Sequence, residues 1–169
     1  MKKFCITFAG AIGSSKTPVA NYLSGKLNLP IINNDAIRTE VIEDFNTFNE
    51  EEYKKRRNER VRSILEKGTS FIYDASIDRE WKTLHEWLVA NGYDWFIISL
   101  DLSRNFLHKL YRAKGYHDSM KVLDQFIVDH ENFLNEFGLE VDVHISDNEF
   151  GERLKLVFEA ATLFIDKSL

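Results

Sequence analysis

One segment near the amino terminus limits what this chain can be more than any other part of the sequence. It follows the apolar run from Phe4 to Ala9, precedes a helical pattern, and has the order Gly, four residues, a small residue, Lys and Thr. A loop with this pattern, placed between a strand and a helix, is typical of sites that bind phosphate groups. The sequence therefore predicts a phosphate loop made by Gly10, Ala11, Ile12, Gly13, Ser14, Ser15, Lys16 and Thr17.

The residue types of this loop fit a nucleoside triphosphate bound together with Mg²⁺. Successive backbone N–H groups and the positive end of the following helix converge on the phosphates, so the loop bends tightly around small side chains. Lys16 is expected to reach the β and γ phosphates as a point charge. The Thr17 hydroxyl is expected to ligate the Mg²⁺ that bridges those phosphates.

Ser15 stands where this pattern normally has glycine. If the backbone has a positive φ there, serine costs about 1 kcal/mol relative to glycine, which a local contact can offset. We therefore expect the phosphate site to be retained with serine at this position, and we expect any effect of the serine to be a lower affinity for nucleotide. A chance match in a turn rich in glycine and serine is the alternative interpretation of the whole segment.

The composition is that of a folded domain, and it argues against several classes of protein. With 169 residues, 44% of them hydrophobic, the chain is long enough for a single domain over 1–169 with a buried core. The formal net charge of −5 disfavours duplex binding, although a local basic groove stays open. The lone Cys5 precludes an internal disulfide, and no apolar run approaches the roughly 18 residues of a membrane span. We expect a cytoplasmic protein without a membrane partner.

Strand-like and helix-like segments alternate along the chain. Short runs rich in β-branched and aromatic residues predict a buried parallel sheet with strands from Phe4 to Ala9, Pro30 to Asn33, Ser70 to Asp74, Trp95 to Leu100 and Val141 to Ser146. Helical spacing predicts helices over 16–27, 34–45, 50–67, 79–91, 103–112, 119–137 and 149–167. This alternation is typical of an α/β fold in the form of a three-layer sandwich with a five-stranded parallel sheet.

Acidic residues follow four of the predicted strands. In open parallel sheets, ligands collect at the carboxyl ends of the strands, so residues at these ends are candidates for chemistry. Aspartate is also a common helix N-cap, and for Asp101 and Asp147 a capping role is the stronger interpretation. The residues concerned are Asp35, Asp74, Asp101 and Asp147.

Three motifs together resemble one family. They are the phosphate loop, the segment Asp35-Ala36-Ile37-Arg38, and the segment Phe71-Ile72-Tyr73-Asp74-Ala75 with Arg79. The set resembles the small P-loop kinases related to the kinase domain of phage polynucleotide kinase, a group that includes chloramphenicol phosphotransferase and zeta toxins. The resemblance covers essentially the whole chain and is weakest after residue 112. It implies a strand order of 2-3-1-4-5, which would put Asp74 beside the phosphate loop.

The resemblance also implies roles for these residues. In such kinases the aspartate of Asp-x-x-Arg faces the acceptor hydroxyl as a base and the arginine holds the acceptor, which transfers here to Asp35 and Arg38. Arg79 is expected on the same acceptor side, and Asp74 is expected to orient Mg²⁺ or its water. ATP is the implied phosphate donor. The alternative for Asp35 and Arg38 is a helix cap and a solvated arginine.

These kinases also carry a lid after the fourth strand that supplies arginine to the leaving phosphate. The matching segment lies around 105–118, and its Arg112 is the expected lid cation because a guanidinium forks to two phosphate oxygens. An ordinary solvated helix face is the alternative for this segment.

The segment from Glu50 to Gly68 holds a cluster of basic residues. Glu50, Glu51 and Glu52 precede three of these cations by four residues, so that much of the charge is expected to pair along an exposed helix. Arg57 differs because it shares a helical face with Tyr53, which is expected to face the protein. We therefore expect Arg57 in the acceptor cleft.

Three functions agree with these patterns. The first is an ATP- and Mg²⁺-dependent kinase that phosphorylates a hydroxyl of a small molecule, a nucleoside or nucleotide, or a nucleic-acid 5′ end. The second is an NTPase switch, and the third is a nucleotide-binding module without catalysis. The guanine motif Asn-Lys-x-Asp and the switch motif Asp-x-x-Gly are both absent, which disfavours a GTPase.

Overall fold

The strands form one parallel sheet. The computed structural model describes residues 2–167, so residues 1, 168 and 169 of the predicted domain lie outside the described part. The strands pair in the order β2-β3-β1-β4-β5, and every pair is parallel. The predicted strand order is therefore confirmed, for β1 (Lys3–Ala9), β2 (Ile31–Asn33), β3 (Phe71–Ser76), β4 (Tyr93–Asp101) and β5 (Val143–Ser146).

Seven α-helices connect or flank these strands within the described residues. Four of them begin later than predicted, and α6 and α7 do so by about one helical turn. The stretches Ser119–Val122 and Phe150–Glu152 are 3₁₀ turns that lead into the two helices α6 and α7. The spacing of side chains in a short 3₁₀ turn is close to that of an α-helix, so the sequence pattern extended the predicted helices over these turns. No helix within residues 2–167 is both long and apolar enough to cross a bilayer. The helices are α1 (Lys16–Leu27), α2 (Asn34–Phe45), α3 (Glu50–Glu66), α4 (Trp81–Ala90), α5 (Arg104–Lys114), α6 (Leu123–Phe137) and α7 (Arg153–Lys167).

The sheet is buried on both faces. Alternate side chains of a strand point to opposite faces, and in β1 Phe4, Ile6 and Phe8 join a core with residues of α1, α5 and α7. Cys5 and Ala9 join a second core with residues of α3, α4 and α6. The chain is thus a three-layer α/β sandwich, as predicted. Burial raises the pKa of the Cys5 thiol, which makes it an unreactive core residue.

A register shift between β1 and β3 shapes the edge where the phosphate loop lies. Thr7 pairs with Tyr73, but the next residue, Phe8, pairs with Ser76. The two extra residues of β3 carry the following chain against the loop, where the Ser76 hydroxyl donates to the Gly10 carbonyl at 3.0 Å. Bulges of this kind redirect side chains next to functional sites.

Candidate active site

A cleft of about 850 Å³ opens at the carboxyl edge of the sheet. Its walls come from the phosphate loop, the start of α2, the end of β3, the end of α5 and the start of α6. Ligands of open parallel sheets bind at this edge. The cleft brings together ten of the predicted site residues, namely Ala11, Ile12, Gly13, Ser15, Lys16, Thr17, Asp35, Arg38, Asp74 and Arg79.

Three residues of the phosphate loop have positive φ angles. Gly10 and Gly13 have φ angles of 130° and 82°, and Ser15 has a φ of 72°. Ser15 therefore occupies the left-handed region, where serine is less favourable than glycine. A Cβ on Gly13 would lie 2.6 Å from Cε1 of Tyr111, so only glycine fits at that position. The loop then passes into α1 at Lys16.

Lys16 lies folded into the loop and is 9% exposed. Its ammonium group donates to the carbonyl oxygens of Gly10 at 2.9 Å and Ala11 at 2.7 Å, and to Ser14 Oγ at 3.2 Å. Burial lowers the pKa of Lys16 to about 8, and the nearby carboxylates act in the opposite direction. Gly10 and Ser14 are buried and do not line the cleft, but both contact the lysine.

Asp74 and Thr17 form the part of the cleft that suits Mg²⁺. Burial raises the pKa of Asp74, while a hydrogen bond from the Thr17 hydroxyl and the charge of Lys16 lower it. The Asn33 amide also donates to Asp74 at 2.6 Å. Mg²⁺ prefers oxygen ligands and usually binds through one or two carboxylates, retained water and phosphates. Thr17 and Asp74 fit such an ion, and residues 2–167 contain no cluster of three acidic, His or Cys side chains that would hold a metal alone.

Asp35 and Arg38 lie in the first turns of α2, and neither serves as its cap. The cap is Asn33, whose side chain accepts from the Ala36 N–H at 2.8 Å. The Asp35 carboxylate forms no hydrogen bond or ion pair within residues 2–167, and the Arg38 guanidinium lies 4.1 Å from the centre of the Phe48 ring. The N-cap interpretation of Asp35 is therefore excluded, and its carboxylate faces the cleft.

The two other arginines expected on the acceptor side are both paired. Arg79 lines the cleft and forms an ion pair with Asp129 of α6. Arg57 does not line the cleft, contrary to expectation: it is 12% exposed, binds Glu80 at 2.5 Å and borders a smaller cavity of about 220 Å³. Tyr53 of the same helical face does line the cleft, whereas the Arg57 guanidinium is paired with Glu80.

The lid segment departs from expectation at its cation. Arg112 is exposed and lies outside the cleft lining, whereas Lys114 lines the cleft. Lys114 Nζ donates to the Gly13 carbonyl at 2.7 Å and to Ser15 Oγ at 2.8 Å. Tyr111 and Lys114 are three residues apart and share a helical face, which turns Arg112 away from the loop.

A buried network behind the loop was missed from the sequence. His130 of α6 lies between Asp78, 3.2 Å from Nδ1, and Asp101, 2.9 Å from Nε2, and His144 approaches Asp101 at 2.6 Å. Burial opposes the charge on His130, yet the two carboxylates raise its pKa to about 9. Hydrogen bonds from His130, Ser99 and His144 likewise overcome burial and lower the pKa of Asp101 to about 2. Only Asp101, at the end of its strand, had a signal in the sequence.

Comparison with known proteins gives structural relatives but no sequence relatives. No family model matches the chain, and no curated protein matches it. A gluconokinase from Sinorhizobium meliloti 1021 superposes with a TM-score of 0.65 at 14% identity, covering 96% of this chain and 94% of that one. The Mycobacterium tuberculosis APS kinase CysC, in complex with AMPPNP and APS, gives 0.61 at 16% identity, with coverages of 95% and 98%.

A third solved structure leads to the same conclusion. The shikimate kinase from Bacteroides thetaiotaomicron superposes with a TM-score of 0.57 at 15% identity, covering 98% of this chain and 99% of that one. These similarities extend over nearly the whole chain. The fold of this chain is that of the P-loop kinases, as the sequence motifs predicted.

Proposed function

From the fold that this chain shares with P-loop kinases, we propose that it transfers the γ-phosphoryl group of ATP to a hydroxyl group of an acceptor molecule. One observation carries the proposal: a single cleft contains both the phosphate loop and the unpaired carboxylate of Asp35. Phosphoryl transfer depends on positioning, on neutralising negative charge and on a carboxylate that orients the attacking hydroxyl. The cleft provides groups for all three tasks.

Each of these groups has a defined task in the proposed reaction. Bound MgATP supplies the phosphoryl group, whose phosphorus forms a bond to the acceptor oxygen while its bond to the oxygen of the departing ADP breaks. Asp35 orients the hydroxyl and accepts its proton. Lys16 exchanges its hydrogen bonds with the loop carbonyls for bonds to the terminal phosphates. Thr17 and Asp74 would hold Mg²⁺, which would neutralise negative charge on the phosphates, and Arg38 orients the acceptor from one helical turn beyond Asp35.

A small-molecule acceptor is favoured over a nucleic-acid end. The structural relatives are named as kinases of gluconate, APS and shikimate. Three cations of α3, the most basic segment, are already paired: Lys54 with Glu50 at 2.7 Å, Arg56 with Asp44 at 2.6 Å, and Arg60 with Glu40 at 2.5 Å. Binding to a nucleic-acid backbone needs cations that are available to its phosphates.

The two alternative functions have less support. An NTPase switch needs a motif that senses the γ phosphate, and the chain lacks Asp-x-x-Gly. A nucleotide-binding module without catalysis does not need a free carboxylate opposite the phosphate loop, whereas Asp35 is one.

A transfer assay tests the proposal. Radiolabelled γ-phosphate of ATP is followed into sugars, nucleosides, nucleotides, hydroxylated antibiotics and 5′-hydroxyl oligonucleotides. We expect Asp35→Asn to lose most acceptor-dependent turnover while retaining ATP binding, because the change removes the base and leaves the loop intact. Glu43→Gln, an exposed acid of α2 outside the cleft, is the matched control. Undiminished turnover in Asp35→Asn would contradict the assigned base.

A further inference from the structure

Ser15 is the residue of the phosphate loop that departs from the usual pattern, and it does so in a strained conformation. Its backbone has φ 72° and ψ 41°, in the left-handed region. Glycine adopts this conformation at a cost lower by about 1 kcal/mol. The side chain of Ser15 also makes a hydrogen bond that glycine could not make.

The Ser15 hydroxyl accepts a hydrogen bond from the ammonium group of Lys114. This ammonium group donates to Ser15 Oγ at 2.8 Å and to the Gly13 carbonyl at 2.7 Å. An ammonium group has three N–H donors, so these two bonds leave one donor at the cleft surface. Replacing Ser15 by glycine would remove one of the two bonds that hold the lysine.

Helix α5 fixes the place of this lysine. Tyr111, one turn earlier on the same face, is fully buried and its hydroxyl donates to the Ile12 carbonyl. Gly13 accommodates the Tyr111 ring because it lacks a Cβ. Lys114 is thus presented by a helix end that is packed on the phosphate loop, and its ammonium group starts close to its bound position.

Two ammonium groups then face the same cavity. Both lysines line the cleft, and both ammonium groups donate to backbone carbonyls of the phosphate loop. An anion bound beside both groups would offset the repulsion between these two like charges. The phosphates of a nucleotide are such an anion.

We propose that Ser15 and Lys114 act as a pair, in which the Ser15 hydroxyl positions the Lys114 ammonium group to bind the phosphates of the donor nucleotide. The inference rests on the proposed function and deepens it. It assigns to Lys114 the role that the sequence analysis gave to Arg112, and it explains the serine in the loop as a positioning residue.

Calorimetric titration with Mg·AMP-PNP tests the pair without knowledge of the acceptor. We expect Lys114→Met to weaken binding about tenfold, because it removes a charged hydrogen-bond donor. Lys114→Arg should recover most of the affinity. Lys109→Met, at an exposed lysine of the same helix outside the cleft, is the matched control and should bind as the wild type does.

Ser15→Gly separates a positioning role from a merely tolerated substitution. We expect this variant to weaken Mg·AMP-PNP binding by about threefold, because the Lys114 ammonium group loses one of the two hydrogen bonds that hold it. In the Lys114→Met background, Ser15→Gly should cause no further loss, since the hydroxyl then has no ammonium group to position.

Four results would contradict the proposed role of Ser15 and Lys114. One is Mg·AMP-PNP binding that is unchanged or tighter in Ser15→Gly, and another is tighter binding in Lys114→Met, which would mean that the lysine competes with nucleotide. The third is a loss of affinity in Arg112→Ala with none in Lys114→Met. Nucleotide binding that is lost in Lys16→Met but unaffected by both Ser15→Gly and Lys114→Met would reject the pair and leave the proposed function standing. Absence of binding in the wild type would reject both.

Discussion

The carboxylate of Asp78 accepts a hydrogen bond from the backbone N–H of Gly10 at 3.1 Å. This contact ties the first residue of the phosphate loop to the chain that follows β3. The same carboxylate oxygen faces His130 Nδ1, and the opposite ring nitrogen faces Asp101. Because both ring nitrogens face carboxylates, the protonated ring satisfies both partners at once. A cation on α6 therefore supports the loop from behind.

The pKa of His130 predicts a loss of stability at alkaline pH. Its value is raised to about 9 by Asp101 and Asp78 against the effect of burial, compared with about 6.5 for an unfolded histidine. A raised pKa stabilises the fold fully below the unfolded value, and this contribution disappears as the pH rises from about 6.5 through 9. We expect the wild type to lose more of its free energy of unfolding over this range than His130→Gln does, by an amount on the order of 3 kcal/mol.

Urea denaturation at pH 6.5 and pH 9 measures this difference. The groups that face the histidine system are Asp78, Asp101 and His144, with Lys16 beyond Asp78. His144→Gln serves as the control because its side chain is 50% exposed and contacts Asp101 alone within this network. Equal pH dependence in the wild type and in His130→Gln would rule out a charged His130.

Lys16 predicts proton uptake when nucleotide binds. Burial lowers its pKa to about 8 in the free protein, so the side chain is about half protonated at pH 8. Phosphates in the cleft would favour the charged form, and binding at pH 8 should take up about half a proton, but almost none at pH 6.5. Binding enthalpies of Mg·AMP-PNP in two buffers with different ionisation heats measure the uptake. The same measurement in His130→Gln isolates the lysine, and zero uptake there at pH 8 would contradict the lowered pKa.

Arg57 is expected to stabilise the fold without binding the acceptor. Its guanidinium binds Glu80, and the Tyr73 hydroxyl donates to the same glutamate at 3.2 Å. Arg57→Met should lower the free energy of unfolding by about 1 kcal/mol, because it leaves a partly buried carboxylate without its cation. Arg57→Met/Glu80→Gln should recover part of this loss in urea denaturation. A large fall in acceptor affinity with unchanged stability would instead restore the role predicted from the sequence.

Gly13 is expected to tolerate no side chain. A Cβ there would approach Tyr111 to 2.6 Å at a φ of 82°, so Gly13→Ala should destabilise the fold by about 2 kcal/mol or more and weaken nucleotide binding. Gly25→Ala is the matched control, because Gly25 lies within α1 and a Cβ there meets nothing within 4 Å. That change should stabilise the helix by about 0.5 to 1 kcal/mol. Thermal unfolding of both variants measures the contrast.

The site residues that lie next to the end of a strand could be predicted from the sequence. The phosphate loop, Asp35 with Arg38, and Asp74 each follow a recognisable strand, so local patterns locate them at one edge of a parallel sheet. The structure places these residues in one cleft. Their chemical roles remain predictions for the experiments above.

The parts that depend on contacts between distant segments could not be predicted. Asp78 reaches the phosphate loop only because the register of β3 shifts by two residues, and no residue type announces that shift. His130 lies on a helix whose apolar stripe dominated its pattern. For α5, the helix continues to Lys114 instead of ending at 112, and those two residues decide which cation reaches the loop.

The shifted register of β3 also makes chain length between Asp74 and Asp78 more critical than side-chain identity. Removing one residue from this stretch would reverse which side chains point to each face of the sheet, because neighbouring positions of an extended chain face opposite ways. The Asp74 carboxylate would then leave the part of the cleft that suits Mg²⁺, and the Asp78 carboxylate would lose its hydrogen bond from the Gly10 N–H. Homologous chains that keep this site should therefore vary in the intervening residues but conserve their number.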